Sequence, residues 1–270
     1  MDTFITLISI VLYVTSASLL AWRLVNSSSV SSLLSRNVPL ILGVFALLFH
    51  AFALYGTIST PQGLNLGFFN MLSLITWFIA AVVIASAFGG NPVENLGIAV
   101  LPLATIGLIL QWLFPSPLSH ITHTSVGLDI HILLSIASYS LLAVAAFQSI
   151  MLAVQDHYLR NRKPGGFIRA LPPLETMENL LFKMIGIGYV LLSLSLISGV
   201  HFLEDIFAQH IVHKTVLSIV AWVVFAVLLW GRWRSGWRGR VAIRWTLAGF
   251  ALLMLAYFGS KLVQELILHR

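Results

Sequence analysis

Eight apolar segments, each about 20 residues long, follow one another along this chain of 270 residues. About 20 mostly apolar residues is the length with which a helix crosses the hydrocarbon core of a bilayer. Hydrophobic residues make up 59% of the sequence and charged residues only 9%, a composition outside the range of water-soluble domains. We therefore predict an all-α, polytopic membrane protein with eight transmembrane helices, built as one integral-membrane domain over residues 1–270. The predicted spans cover approximately 4–24, 39–58, 68–88, 94–114, 131–154, 184–203, 212–230 and 243–267.

The lysines and arginines are distributed unequally between the two sides of these spans. If the N-terminus lies outside, twelve of the 15 fall on the cytoplasmic side, where the positive-inside rule places them. We therefore predict that both termini lie on the outer, periplasmic side of a bacterial inner membrane, with the first apolar segment retained as a helix. The twelve are Arg23, Arg36, Arg160, Arg162, Lys163, Arg169, Lys183, Arg232, Arg234, Arg238, Arg240 and Arg244, while Lys214, Lys261 and Arg270 lie outside.

Two of the predicted cytoplasmic segments carry further patterns. "LPPLETMENLLFK" has a helix-start signal at Pro172-Pro173 and apolar residues at helical spacing, which predicts a short interfacial helix leading into the sixth span. "GRWRSGWRGR" combines arginines that set topology with Trp233 and Trp237, which anchor at lipid headgroups. A site for anionic lipid or a protein partner is the alternative interpretation of that second tract.

Several kinds of chemistry are excluded by what the sequence lacks. The net charge is +6, but no basic stretch has the stacking aromatics and polar surface that nucleic-acid binding needs. There is no cysteine, so the chain itself cannot exchange disulfides, hold an iron–sulfur cluster or attach haem covalently. No Ser-His-Asp spacing, phosphate-binding loop or pair of carboxylates supports hydrolysis, and we expect that the chain is not an enzyme.

The nine histidines are the residues most capable of binding a ligand, and most of them share one predicted side of the membrane. Neutral imidazole is a common ligand of iron, zinc and copper, so their accumulation on one side favours a ligand there. Only His157 is predicted on the cytoplasmic side, and His50 lies inside the second span. The outer set comprises His120, His123, His131, His201, His210, His213 and His269.

His50 lies deep in the predicted membrane. It follows Pro39 by eleven residues, which places it roughly 16 Å into a hydrocarbon core of about 30 Å. An ionisable side chain at that depth is costly and faces a protein interior, a cavity or a ligand. Two interpretations follow. In the first, His50 is hydrogen-bonded to a neighbouring helix; in the second, it is a functional residue that binds a ligand or relays protons. We favour the second.

His131 is the strongest candidate of the outer set. It opens the apolar run "HILLSIASYSLLAVAAFQ", in which Ser138 and Tyr139 lie two turns further on. A histidine at the mouth of an apolar helix bundle matches the surroundings of a haem, which needs an axial nitrogen, apolar walls and solvent for its propionates. Lys214 and Lys261, with Arg270, are the outer cations that could neutralise those propionates.

A zinc or copper site is a weaker alternative in the same stretch. His120 and His123, with Asp129, have the spacing of metal ligands on a helix. The surrounding "PSPLSHITHTSVG" is rich in Pro, Ser and Gly and predicts a loop instead. By this interpretation His120 and His123 are ordinary loop residues, and His123 is the better of the two as a supporting group in cofactor binding.

Three long segments of the second half resemble a known family. They read "HILLSIASYSLLAVAAFQSIMLAVQ", "LPPLETMENLLFKMIGIGYVLLSLSLISGV" and "HKTVLSIVAWVVFAVLLWGRWRSGWRGRVAIRWTLAGFALLMLAYFGSKLV". This sequence is similar to the integral-membrane cytochrome c assembly proteins of the CcsA/ResC type, and most of all to the small YpjD-like and HemX-like inner-membrane branch. The similarity is strong over 129–268 and weaker over 1–128.

The resemblance implies haem handling at the outer face, with external histidines as ligands. By position, His131 matches the first external histidine, His269 lies near the second, and His50 resembles the membrane histidine of the small members. Two family features differ here. The outer loop "HFLEDIFAQHIVHKT" contains no tryptophan, and Leu229-Trp230-Gly231-Arg232 replaces a Leu-His-Thr-Arg pattern.

Together these observations predict a noncovalent haem-binding accessory protein of the cytochrome c assembly type, with haem b near the periplasmic face. His131 is the predicted axial ligand, with His269 or His213 opposite it, and His50 marks a second, embedded site. The alternative is an accessory or transport component for a divalent metal, with the outer histidines, Glu204 and Asp205 at its mouth. A structural subunit of a larger complex, in contact with cytochrome c assembly or other membrane-protein partners, is the third possibility.

Overall fold

The computed structural model describes residues 2–25, 37–60, 63–89, 93–115, 121–122, 126–161, 171–202 and 209–259. Eight of its helices are long and apolar enough to cross a membrane, which confirms the predicted number of spans. Helices dominate because lipid offers the backbone no hydrogen-bond partner, so each span must satisfy its own N–H and C=O groups. The helices are α1 (Asp2–Val25), α2 (Asn37–Ile58), α3 (Phe68–Phe88), α4 (Glu94–Leu113), α5 (Val126–Arg160), α6 (Leu174–Phe202), α7 (Gln209–Ser235) and α8 (Arg240–Met254).

Large apolar side chains cover the outside of these helices. Phe4, Phe52 and Val200 are 71%, 67% and 70% exposed. A soluble protein would present polar side chains at such positions, whereas hydrocarbon tails solvate phenylalanine and valine well. This surface agrees with a chain that is embedded in a lipid bilayer.

The chain divides into two compact units, each with its own core. Unit 1 comprises residues 1–123 and 161–173, and unit 2 comprises residues 124–160 and 174–270. Within unit 1, α1 packs on α2 and α4, and α3 packs on the same two helices, which closes a four-helix bundle. Unit 2 has the same order of contacts, since α5 and α7 each pack on both α6 and α8. The prediction of one domain over residues 1–270 stays a prediction.

Unit 1 also contains a small sheet that the sequence did not predict. Its strands are β1 (Ser59–Thr60), β2 (Gly63–Asn65) and β3 (Ile121–Thr122). All pairs are antiparallel, with β2 in the centre, Ser59 opposite Leu64 and Leu64 opposite Thr122. Gly63 has a φ of 136°, a conformation that side chains with a Cβ rarely adopt, so a glycine suits the β1–β2 turn. The sheet ties the α2–α3 connection to residues that precede α5.

Helices α5, α6 and α7 of unit 2 are longer than predicted. Helix α5 begins five residues before His131, so this histidine lies in the second turn and does not open the helix. The predicted short interfacial helix before the sixth span is wrong as a separate element, because Leu174–Phe202 form one continuous helix. Its apolar positions Met177, Leu180 and Leu181 are buried in the core of the unit, which explains their helical spacing. Helix α8 continues into a π-helical turn, Leu255–Gly259.

A buried glutamate of α6 holds the connection between α7 and α8. Glu178 accepts hydrogen bonds from the backbone N–H of Gly239 at 2.7 Å and from Nε of Arg238 at 2.9 Å. Its side chain is only 10% exposed, whereas Arg238 reaches solvent. The hydrogen bonds and charge of Glu178 raise the pKa of Arg238 further above its ordinary value, so this guanidinium stays charged at physiological pH.

Replacing Glu178 with alanine should lower the melting temperature of the detergent-solubilised protein by about 3–6 °C. The loss of charge-assisted hydrogen bonds to a buried carboxylate produces a shift of this order in a chain of this size. Glu175→Ala is the matched control, since Glu175 is 74% exposed and 3.6 Å from Arg238. Equal shifts in the two variants would show that the buried contact to Gly239 contributes nothing.

The predicted orientation can be tested with reporter fusions. Alkaline phosphatase fused after Arg270 should be active, because both termini are predicted outside, and green fluorescent protein inserted after Asn161 should fluoresce in the cytoplasm. A fluorescent fusion at the C-terminus, together with an inactive phosphatase there, would reverse the assignment.

Candidate functional site

His50 lies at the centre of unit 1 and is completely buried. Its Nδ1 is 3.1 Å from the hydroxyl of Tyr13 on α1, and its Nε2 is 2.8 Å from the hydroxyl of Ser73 on α3. Tyr13 and Ser73 are also fully buried, and the rings of Tyr13 and His50 meet edge to face with centroids 5.8 Å apart. The imidazole therefore joins three helices of the bundle through hydrogen bonds.

The hydrogen bonds of His50 decide what this side chain can do in the described conformation. A neutral imidazole donates from one nitrogen and accepts at the other, and here each nitrogen has a hydroxyl partner. A metal ion would need one of these nitrogens, so the Tyr13 or the Ser73 hydroxyl would first have to move away. The geometry favours a hydrogen-bonded histidine over the metal-ligand role that the sequence analysis preferred, and the proton-relay role stays a prediction.

Other polar side chains of unit 1 form hydrogen bonds between the same helices. Ser9 and Ser16 of α1 donate to the backbone carbonyls of Ala46 and Pro39 on α2, at 2.9 and 2.7 Å. Trp77 of α3 donates to the carbonyl of Leu47 at 2.9 Å. Such contacts satisfy polar groups that lipid would leave without partners. Unit 1 is thus organised around α2 by interhelical hydrogen bonds.

His131 lies in unit 2, near the beginning of α5, where this helix packs against α6. Its side chain is half-buried, and its Nδ1 is 3.0 Å from the backbone carbonyl oxygen of Ser195 and 3.1 Å from the hydroxyl of Ser198. The Ser198 hydroxyl also donates to the Ser195 carbonyl, at 2.8 Å. Ser135, one turn after His131, is 2.7 Å from the Ser195 hydroxyl. These contacts hold the imidazole against α6.

The contact with a carbonyl oxygen assigns the tautomer of His131. A carbonyl oxygen can only accept, so the proton of the neutral ring lies on Nδ1 and the lone pair on Nε2. Among the described residues, Nε2 has no hydrogen-bond partner. Histidines that ligate metals have this arrangement, in which a hydrogen bond from one nitrogen orients the ring and leaves the other for the metal.

An aromatic cluster surrounds Tyr139, which lies two turns after His131 on α5. Tyr139 packs against the rings of Phe250, Tyr257 and Phe258, with centroids 5.3, 6.0 and 5.9 Å away. Two of these partners belong to the π-helical turn after α8, a type of distortion that occurs frequently at functional sites. Ser138 donates to the carbonyl of Gly188 on α6 at 3.0 Å. An aromatic cluster around Tyr139, together with buried polar side chains such as Ser138, therefore lies beyond His131 in unit 2.

The remaining predicted site residues are placed only in part. His123 and His269 lie outside the described residues, as do His120, Glu204, Asp205, Lys261 and Arg270. His213 belongs to the first turns of α7, but its side chain lies outside the described set. Within the described ranges, no three His, Asp or Glu side chains come together as a metal site. The predicted second axial ligand, His269 or His213, stays a prediction.

The sequence did not identify the partners of either histidine. Tyr13, Ser73, Ser195 and Ser198 are separated from their histidine by 23 to 67 positions in the chain. The available signal was weak: serines in an apolar span, such as those of "SLSLISG", are the residues that hydrogen-bond between membrane helices. Such a signal indicates that a serine has a partner without showing which one.

Comparison with known proteins gives matches over most of the chain. Residues 38–268 match the model of a family described as cytochrome C assembly protein. The inner membrane protein YpjD of Escherichia coli is 39% identical over 240 residues, 86% of this chain and 88% of YpjD. Protein HemX of Brevibacillus brevis is 23% identical over 225 residues, 80% of this chain and 83% of HemX. The cytochrome c biogenesis protein CcsA of Gloeothece citriformis is 26% identical over 102 residues, 37% of this chain and 31% of CcsA. No solved structure gives a significant match.

The interpretation of His50 as a structural residue predicts the behaviour of two variants. Tyr13→Phe removes one hydrogen bond and should cost about 0.6 kcal/mol, the average for such bonds between membrane helices. His50→Leu should cost more, because it leaves the Tyr13 and Ser73 hydroxyls both without their imidazole partner. Melting in detergent, followed by circular dichroism, measures both. A His50→Leu protein of unchanged stability that has lost a haem absorption band would instead make His50 a ligand.

Proposed function

This chain belongs to the cytochrome c assembly protein family, in the branch of the YpjD-like and HemX-like inner-membrane proteins, and from that premise we propose that it binds b-type haem noncovalently. It is a multi-pass protein of the inner membrane. We propose a role in cytochrome c biogenesis, in which the chain acts as a haem-handling accessory factor and not as an enzyme. The description of the family and the name of its CcsA relative support the assembly role.

The observation that carries the haem proposal is the hydrogen bonding of His131. The Ser195 carbonyl holds the proton on Nδ1, so Nε2 keeps a lone pair that would bind the iron of a haem. A backbone carbonyl cannot be lost by side-chain motion, so the orientation of the ring depends on the packing of α5 against α6. The donor set therefore fits one axial ligand of a haem iron.

The surroundings of His131 support the same group. Its ring is half-buried near one end of its helix, where a haem could keep its propionates in water. Further along α5, Tyr139 packs against the rings of Phe250 and Phe258, an aromatic surface that suits a porphyrin face. Bound haem would supply the iron centre, while the residues of the chain would ligate it, orient it and exclude water from one side.

His50 fits this group less well than His131 does. Its two nitrogens already share hydrogen bonds with Tyr13 and Ser73, at a position without any exposure. We therefore assign the proposed haem to His131, and the embedded second site to His50 stays a prediction. The second axial ligand is proposed to be His269 or His213, because both are predicted on the same outer side as His131 and the family resemblance places an external histidine near His269.

The haem proposal can be tested by titrating haem into the purified full-length protein and following the Soret band. The unmodified protein should bind haem, whereas His131→Gly should bind it at least about a hundredfold more weakly, since the loss of even an outer-shell partner costs about 10–100-fold. Added imidazole should restore the band of His131→Gly, because it replaces the missing ligand without repairing any packing defect. Ser198→Ala should have a smaller effect, since the Ser195 carbonyl remains.

His157→Ala is the matched control, because His157 lies near the opposite end of the same helix. This variant should bind haem as the unmodified protein does. A Soret band that survives in His131→Gly would refute His131 as the ligand. Absence of haem binding together with stoichiometric zinc or copper, measured by elemental mass spectrometry, would favour the divalent-metal alternative instead.

A further inference from the structure

Unit 2 contains a cavity of about 200 Å³ at the end of the bundle where α5 ends and α8 begins. This volume is several times that of one water molecule in the liquid. Its apolar walls come from Ala153 and Ile243, and its polar rim comes from both helices. The residues that line it are Ala153, Asp156, His157, Arg240, Ile243 and Arg244.

The rim of this cavity carries more positive than negative charge. Asp156 is already paired with Arg160 at 3.0 Å and with Arg240 at 3.4 Å. Arg244 has no ion-pair partner among the residues that the structure describes. Two guanidinium groups thus share the Asp156 carboxylate, and the third, that of Arg244, is exposed without an ion pair in the described part of the chain. An anion bound at this position would neutralise the positive charge of the rim that Asp156 does not neutralise.

The first turn of α8 strengthens the preference for an anion. Helix α8 begins at Arg240. Its N-cap residue, Gly239, donates its backbone N–H to the Glu178 carboxylate, whereas the backbone N–H groups of the first turn itself have no partner within the helix. The free backbone N–H groups of a first turn carry a partial positive charge, which adds to that of Arg240 and Arg244. Guanidinium groups bind the oxygens of phosphate and carboxylate groups in pairs, so a phosphate ester suits this rim better than a halide does.

The position of the cavity along the helices identifies the source of the phosphate. The candidate spans of α5 and α8 are Gly127–Arg160 and Arg240–Phe258, so the cavity lies where both spans end. Lipid headgroups occupy that depth, and basic pockets between membrane helices bind them. Trp230 and Trp233, near the end of α7, are 63% and 77% exposed, as expected of aromatic anchors at the same level.

We propose that this cavity binds the headgroup phosphate of an anionic phospholipid. Arg240 and Arg244 contact the phosphate, and Ala153 and Ile243 contact the first carbons of the lipid. The proposal is independent of haem binding, because the cavity lies near the opposite end of α5 from His131. An experiment on this cavity therefore neither supports nor weakens the assignment of His131 as a haem ligand.

The test measures the phospholipid that stays bound to the full-length protein in native mass spectrometry. The protein is purified in detergent and mixed with phosphatidylglycerol or with phosphatidylcholine. Phosphatidylglycerol should be retained in preference to phosphatidylcholine. Arg244→Gln should reduce this retention about fivefold, the effect expected for one arginine at a lipid surface. Ala153→Phe should reduce it as well, because the ring fills the cavity without any change in charge.

Arg234→Gln is the matched control, since Arg234 is exposed at the end of α7, loses the same charge and does not line the cavity. It should retain phosphatidylglycerol as the unmodified protein does. Equal losses in Arg234→Gln and Arg244→Gln would reduce the effect to general surface charge and overturn the proposal. Full retention by Ala153→Phe would overturn the cavity as the site. Displacement of the lipid by millimolar inorganic phosphate would also overturn it, by pointing to a soluble phosphate compound.

Discussion

The hydrocarbon core of a bilayer supplies no hydrogen-bond partner, and this constraint explains the polar contacts of the chain. Each buried hydroxyl, indole or imidazole in an apolar helix must find its partner on a neighbouring helix or on its own backbone. In unit 1 that requirement joins α1, α2 and α3 at His50. In unit 2 it joins α5 and α6 at His131. The two histidines meet the same requirement differently, and the difference separates a structural residue from a candidate ligand.

At His50 both nitrogens are used inside the protein, so the imidazole is a hydrogen-bonding link between helices. At His131 one nitrogen is held by a carbonyl oxygen and the other is left for a ligand. The proposed haem site thus depends on close packing between α5 and α6, because that packing places the Ser195 carbonyl within reach of the ring. Ser135 and Ser138 lie one and two turns after His131 on α5. They hydrogen-bond to Ser195 and Gly188 of α6 and so strengthen the same contact.

Much of the architecture could be predicted from the sequence, since the length and hydropathy of a span are local properties. The eight spans, the break before α4 and the depth of His50 follow from runs of residues and from the rise of a helix. The identity of a partner across a bundle is not local. Nothing near His131 in the sequence distinguishes Ser195 from Ser193 as its neighbour, and nothing near His50 names Tyr13. The extension of α5 before His131 was missed because the Pro-, Ser- and Gly-rich stretch that ends at Gly127 suggested a loop. The continuity of α6 was missed because two prolines precede a segment that resembles an interfacial helix.

The central claim is that this member of the cytochrome c assembly family binds haem b without a covalent bond. The most direct measurement is the haem content of the full-length protein purified from its native membrane, by acid–acetone extraction followed by the pyridine haemochrome spectrum. If the chain binds haem b noncovalently, the purified protein contains one or more haems per chain. Acid–acetone then extracts all of this haem, and the extract gives the spectrum of haem b. Protein that contains no haem as purified, and takes up none when haem is supplied during growth, would contradict it.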